Sequence, residues 1–154
     1  LDIEEEGMID ELERKIVRAM NQNARKSFRE IAKEVGTSAT AVINKVRRLE
    51  ASGVIKGYMP IVDPAHFGFD LVAIIALRIS KGKLLETQQR ISSDHRVAAV
   101  YDITGEWDSL VIGYFRSRDD LNDFVKGVLA LPYVDRTVTH LVLNVVKEEK
   151  RLLV

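Results

Sequence analysis

The spacing of hydrophobic residues along the chain changes character about a third of the way along. In the first third, apolar residues recur at helical intervals. Ile9, Leu12, Ile16, Ala19 and Met20 mark one face of a first helix. Asp10 stands at its head with Glu13 three residues on, a capping-box pair, and Asn21-Gln22-Asn23 closes it. A second helical run, Phe28, Ile31, Ala32 and Val35, opens with Ser27-Phe28-Arg29-Glu30. Here Ser27 can accept from the amide of Glu30, while Glu30 reaches back to the amide of Ser27. Gly36 is placed to supply the left-handed residue that stops a helix, and Ser38 is the next N-cap. Val42, Val46 and Leu49 form the stripe of a third helix that ends at Gly53. Three short helices joined by tight turns predict a helix-turn-helix closed by an extra helix, because a two-helix hairpin buries too little surface alone. Residues 1–7 are acidic and are expected to be frayed or extended.

Beyond Gly53 the pattern turns extended. Val54 to Val62 reads as a short extended segment, with Lys56 placed on it like the tip of a small wing. Pro60 and Pro64, with Gly57 and Gly68 around them, predict an ordered linker rather than a helix. Val72 to Ser80 then reads as a strand with apolar residues on both faces. A helix follows through Leu84, Leu85, Gln88 and Ile91, and a strand through Val97 to Thr104. Gly105-Glu106-Trp107-Asp108 forms a turn, and Ser109 to Phe115 is the next strand. Leu121, Phe124, Val125, Val128 and Leu129 give the clearest helical stripe, stopped by Pro132. Val134 to Val146 is read as a long last strand. The order βαββαβ is ferredoxin-like, an antiparallel sheet with helices on one face. The fold expected is therefore α+β: a winged helix-turn-helix over residues 1–63, then a ferredoxin-like βαββαβ domain over 64–154. In the last strand Thr137, Thr139, Leu141, Leu143 and Val145 share one face, and Val138, His140, Val142, Asn144 and Val146 the other. Both faces carry large apolar residues, so the uncovered one is expected to meet another subunit.

Charge adds a partner to this picture. The chain of 154 residues is neutral overall, with 23 Lys and Arg against 23 Asp and Glu. Yet residues 25–60 hold eight bases and three acids, a net charge of +5, the footprint of a phosphate-binding module. Thr40, Asn44, Arg47 and Ala51 lie opposite the apolar stripe of the third helix, with Arg48 at the edge. A small residue, hydrogen-bonding side chains and a guanidinium on one helical face suit a DNA major groove. The candidate DNA-binding residues are Ser38, Thr40, Asn44, Lys45, Arg47, Arg48 and Lys56. The competing reading is a plain helical hairpin with a solvated face.

Other chemistry is thinly represented. The chain has no cysteine, which excludes disulfides and thiolate metal sites. His66, His95 and His140 are scattered, so no metal site is expected. No phosphate-binding glycine loop or nucleophile elbow is present. Glu106 and Asp108 are the one acid pair in a plausible pocket, and no nucleophile accompanies them, so neither an enzyme nor a cofactor is expected. No apolar run reaches membrane-span length and no signal peptide precedes the first helix, which leads to the expectation of a cytoplasmic protein.

The chain resembles the Lrp/AsnC, or feast/famine, family of transcriptional regulators. The resemblance rests on MIDELERKIVRAMNQNARKSFREIAKEVGTSATAVINKVRRLEASGVIKGYMPIVDP, on TGEWDSLV and on LPYVDRTVTHLVLNVVKEEKRLLV, in the family's usual order. Ala39 departs from the proline common after the serine, and Glu13 from the usual aspartate. The resemblance implies double-stranded DNA as partner and dimers formed through the second domain. It also implies assembly into rings such as an octamer of four dimers, and a small effector, commonly an amino acid, at the loop after Thr104. The candidate effector residues are Tyr101, Thr104, Gly105, Glu106, Asp108, Thr137 and Thr139. In this reading Gly105 lets the backbone amides approach a carboxylate, Asp108 or Glu106 meets the ammonium, and the two threonines hydrogen-bond from a neighbouring subunit. The alternatives are a nonspecific architectural DNA-binding protein and a stand-alone amino-acid-sensing oligomer.

Overall fold

The computed structural model describes residues 8–152 and 154; the acidic stretch 1–7 lies outside the described residues. The chain divides into two compact units. One comprises the described residues of Leu1–Pro60 together with those of Lys147–Val154, the other Ile61–Val146.

In the first unit three helices, α1 (Glu11–Gln22), α2 (Phe28–Val35) and α3 (Ala39–Ala51), follow from local chemistry. Asp10 and Glu13 form a complete capping box on α1, and Ser27 and Glu30 form one on α2. Each box satisfies two amide donors that a helix start leaves without intrahelical partners. Gly36 closes α2 at φ 78°, and Ser38 caps α3 by accepting from the Ala41 amide at 3.1 Å. Ile16, Ala19, Ile31, Ala32, Val42 and Val46 interlock as the core. The last residues of the chain return to this unit. Asn21 Nδ2 donates to the Leu152 carbonyl at 2.8 Å, Arg18 Nε to the Val154 carbonyl at 2.5 Å, and Arg151 Nη1 to the Asn21 carbonyl at 3.3 Å.

After α3 the chain turns back: the Ile55 amide donates to Leu49 O at 3.0 Å, and the Tyr58 hydroxyl to Glu50 Oε1 at 2.8 Å. Residues 56–63 form no strand, so the wing and linker strand expected there are not β-structure within this chain. A strand needs a partner ladder, and no segment of the described chain pairs with this one. Pro64, expected to bar helix, instead opens a 3-10 turn over Pro64–Phe67. Asp63 caps it, with Pro64 at the first position, where the missing N–H does no harm.

The second unit is βαββαβ: β1 (Leu71–Ile79), α4 (Leu84–Ser92), β2 (Val97–Asp102), β3 (Ser109–Phe115), α5 (Arg118–Leu129) and β4 (Val134–Leu141). The strands are antiparallel in the order β2-β3-β1-β4, the ferredoxin-like arrangement. Ala73, Ile75, Leu77 and Ile79 of β1 join Val111 and Phe115 of β3 in a core with Ile91 of α4 and Leu121, Phe124 and Val128 of α5. The opposite face presents Ile74, Leu110, Ile112 and Tyr114, half-buried, with Tyr101 and Val138 exposed at its margins. β4 ends at Leu141, five residues short of the expected Val146. The Val142 amide still bonds to Val72 O at 2.9 Å, but β1 begins at Leu71 and offers no partner further on. Alternation in sequence continued where the ladder had run out.

Candidate nucleic-acid interface and ligand loop

α3 buries Val42, Val46 and Leu49 and turns Thr40, Asn44 and Arg47 to solvent. Ser38 is occupied as the N-cap, so its hydroxyl serves the helix first. Lys56 is exposed on the segment after α3. The Tyr58–Glu50 hydrogen bond ties that segment to the end of the helix; burial, then the Glu50 contact, pushes the Tyr58 phenol up to about 12.

Lys45 and Arg48 are not simple surface cations. Lys45 Nζ pairs with Asp10 and lies 3.6 Å from Glu13 Oε1. Arg48 grips Glu13 with two N–H groups, Nε to Oε1 at 2.6 Å and Nη2 to Oε2. The Glu13 side chain is completely buried while that of Arg48 is 51% exposed. Burial works against the charged carboxylate, but the hydrogen bonds from Arg48 and the Asp10 amide outweigh it and hold Glu13 below its usual range. Lys45 lowers Asp10 by the same means, and is itself raised by it. The capping role of Glu13 is visible in sequence; its pairing with α3 is not, because the partners stand 35 residues apart. The available signal is its spacing: four residues after Ile9 and three before Ile16, it falls inside the apolar stripe of α1.

In the second unit the turn between β2 and β3 carries the candidate effector residues. β2 stops at Asp102, short of the expected Thr104. Thr104, Gly105 and Glu106 are exposed, with Gly105 at φ 113°, where a glycine is favoured. Glu106 Oε1 accepts from Arg136 Nη2 at 2.9 Å, and the Arg136 guanidinium stacks 4.5 Å from the centre of the Trp107 ring. Asp108 is not a free anion: Oδ2 accepts from the Ile79 amide at 2.9 Å and faces Arg78 Nε at 3.8 Å. The Asp108 amide donates to Leu77 O at 2.9 Å, so the turn is sewn to the end of β1. The structure thus brings Glu106, Trp107, Asp108, Arg78 and Arg136 to one end of the sheet. Thr137 and Thr139 alternate with Arg136 and Val138, paired with Leu77 and Ile75 on the side that carries α4 and α5. Tyr101 is exposed on the other face, its carbonyl accepting from Ser109 Oγ at 3.0 Å. The two threonines and Tyr101 therefore stand on opposite faces and cannot line one pocket within a single chain. Among the described residues no group of acids and histidines is arranged to hold a metal, and no helix is long and apolar enough to cross a membrane.

Comparison with known proteins matches both units. A model of the AsnC-type helix-turn-helix domain matches residues 9–50, and one of the Lrp/AsnC ligand binding domain matches residues 72–152. An HTH-type transcriptional regulator of Pyrococcus abyssi is 44% identical over 145 residues, 94% of this chain and 99% of the relative. The HTH-type transcriptional regulator Ptr1 of Methanocaldococcus jannaschii is 35% identical, over 94% of this chain and 99% of its own length. Among solved structures, AsnC of E. coli superposes with a TM-score of 0.87 at 25% identity, over 94% of this chain and 98% of that one. A transcriptional regulator of Neisseria meningitidis, solved as a complex with L-Met, has a TM-score of 0.86 at 23% identity, over 94% and 96% of the two chains. That last likeness shows the fold alone.

Proposed function

This chain belongs to the Lrp/AsnC family of DNA-binding transcriptional regulators with a ligand-binding domain, and from that premise we propose that it is a sequence-specific homo-oligomeric regulator governed by an amino acid. The observation that carries the DNA half is the outer face of α3. Its inner side is locked by Val42, Val46 and Leu49, which leaves Thr40, Asn44 and Arg47 projecting together from a segment of net charge +5. In this reading Asn44 and Arg47 touch base edges, while Lys56 and Arg48 touch phosphates. In sequence the DNA-binding domain spans residues 1–63 and the sensing domain 64–154, with the described residues from Lys147 on returning to the first unit. A single recognition helix reads few base pairs, so a dimer is the minimal unit, its second helix entering the groove about 34 Å away. The half-buried apolar face of the sheet is the surface through which dimers form, and four dimers close an octamer.

The effector half rests on the loop from Thr104 to Asp108. A free amino acid needs amide donors for its carboxylate and an anion for its ammonium. The bend at Gly105 supplies the first. Asp108 Oδ2 is taken by the Ile79 amide and Glu106 Oε1 by Arg136 Nη2, so the ammonium falls to the remaining oxygens of Glu106 and Asp108. Support for an amino acid comes from the Neisseria meningitidis regulator, whose structure holds L-Met. Tyr101 stands on the opposite face of the sheet from Thr137 and Thr139, so in this reading the two threonines join the site from a neighbouring subunit.

Two measurements test the proposal. Asn44→Ala should change site preference, at about 1–3 kcal/mol for a lost base contact. Lys56→Ala should weaken all duplexes alike and lower the slope of log K against log salt by about one. Equal shifts on selected and random DNA in both variants would remove Asn44 from base reading. For the effector, thermal shift against the twenty amino acids should single out a ligand, since one at a hundred times its Kd adds about 2.7 kcal/mol. Asp108→Ala should lose that response; a variant that binds as tightly as wild type returns the loop to a plain turn.

A further inference from the structure

Glu13 is the one fully buried acid of the described core, and its partner Arg48 lies half in solvent beside the face of α3 assigned to DNA. The guanidinium is planar and carries five N–H donors in fixed directions. Two of them are spent on Glu13: Nε–H on Oε1 at 2.6 Å, and one N–H of Nη2 on Oε2. Glu13 Oε2 also accepts from the Asp10 amide at 3.0 Å, which fixes the carboxylate in its turn. Of the N–H groups not directed at Glu13, one on Nη1 and the second on Nη2 lie by planarity side by side along the outer edge of the ion, and the other on Nη1 points back on the side of Cδ. The first two form a two-pronged donor edge of the kind that grips phosphate oxygens. Arg48 is four residues after Asn44 and next to Arg47, at the border of the exposed face, where a helix seated in a groove meets the sugar-phosphate backbone rather than the bases.

We propose that Glu13 is a positioning residue for DNA binding, holding the outer edge of Arg48 at the place where it clamps a backbone phosphate. This rests on the reading that the outer face of α3 enters the major groove. The Glu13–Arg48 pair has no net charge, so general attraction to DNA is not its contribution. A free arginine would bring more attraction and less order. What the buried carboxylate supplies is a guanidinium already oriented before DNA arrives, and a fixed phosphate contact sets the register in which base contacts form. Lys45 has a different part: it is turned toward Asp10 and Glu13 and helps hold the carboxylate charged.

The test uses the full chain, a duplex recovered by the wild-type protein from a random-sequence pool, and a random duplex, with affinities measured by fluorescence anisotropy across a salt series. Glu13→Gln keeps the shape and removes the charge. It should weaken the selected duplex roughly three- to tenfold without weakening the random one, and the salt slope should not fall, because Arg48 keeps its charge. Arg48→Lys, a change at a half-exposed side chain, preserves charge but cannot both grip Glu13 and present an edge. It should lower the selected-to-random ratio in the same way, and it serves if Glu13→Gln does not fold. In an Arg48→Ala background, Glu13→Gln should cause no further loss of ratio. A Glu13→Gln or Arg48→Lys protein with the wild-type ratio overturns the proposal, as does an effect of Glu13→Gln that persists without Arg48. If Arg48→Ala and Asn44→Ala both bind the selected duplex like wild type, the groove reading itself has failed.

Discussion

Gly113 lies in the middle of β3 with no room for a side chain. A Cβ built there would stand 2.7 Å from Cζ and 2.8 Å from Cε2 of Phe115, and 3.2 Å from the carbonyl oxygen of Arg96. Neither neighbour is free to yield. The Phe115 ring is wholly buried and packs against Phe124 at 5.4 Å between centroids. The Arg96 carbonyl accepts from the Tyr114 amide at 2.8 Å, and the Arg96 side chain is held by Asp94 and Asp120. Gly113→Ala therefore overfills a closed space, at about 1–3 kcal/mol. The lost freedom of the unfolded chain offsets about 0.4–1 kcal/mol of this, leaving a net loss of about 1–2 kcal/mol. Phe115→Leu removes the atoms in conflict but leaves a gap when made alone. In the double variant the methyl occupies part of that gap, so the two changes should compensate by about 1 kcal/mol or more. Guanidinium denaturation followed by circular dichroism gives the four stabilities of the cycle. Protein concentration must be held constant, because association stabilises the folded state. A Gly113→Ala protein as stable as wild type, or a cycle additive within about 0.5 kcal/mol, would refute the steric reasoning.

Three further outcomes follow from other places in the fold. At Gly36 a Cβ meets nothing within 4 Å, so Gly36→Ala carries only the conformational penalty of φ 78°, about 1–2 kcal/mol by denaturation, and Gly36→Asn should cost less. Arg96 hydrogen bonds, working against burial, lower the Asp94 carboxyl from 3.8 to about 2. A depressed carboxyl stabilises the fold above its unfolded value and loses that stabilisation as pH falls through the folded one. On the order of 2 kcal/mol should therefore disappear between about pH 4 and 2, and Asp94→Asn should flatten that limb. Asn21→Ala removes the donor to the Leu152 carbonyl; amide exchange near residue 151 should accelerate while amides of β1 and β3 keep their protection.

The features legible in the sequence were those written in neighbouring residues. Ser27 with Glu30, Ser38 and Gly36 are local instructions, and each helix starts or stops where they stand. β3 runs from Ser109 to Phe115 as its alternation predicts, because it lies between two strands and every residue has a partner. Strand ends were less legible. Val142 to Val146 alternate like a strand, but pairing depends on how far β1 extends, and that is decided elsewhere in the chain. The same applies to the candidate sites. Exposure of Asn44 and Arg47 follows from helical spacing alone. The pairing of Arg48 and Lys45 with α1, and of Asp108 with the Ile79 amide, joins residues 29 or 35 positions apart, and spacing carries no record of such partners.

The return of the described residues of Lys147–Val154 to the first unit has a consequence for the order of assembly. During synthesis α1, α2 and α3 emerge before the second unit, with their shared core complete by Ala51. The segment that bonds to Arg18 and Asn21 emerges only after all of residues 61–146, and the Arg18–Val154 contact spans 136 positions. The first unit thus starts to form before the second and is completed after it. On a ribosome adding about 5–20 residues per second, the outer side of α1 spends several seconds without its tail. During that interval the second unit is still growing as an insertion between two unequal parts of the first.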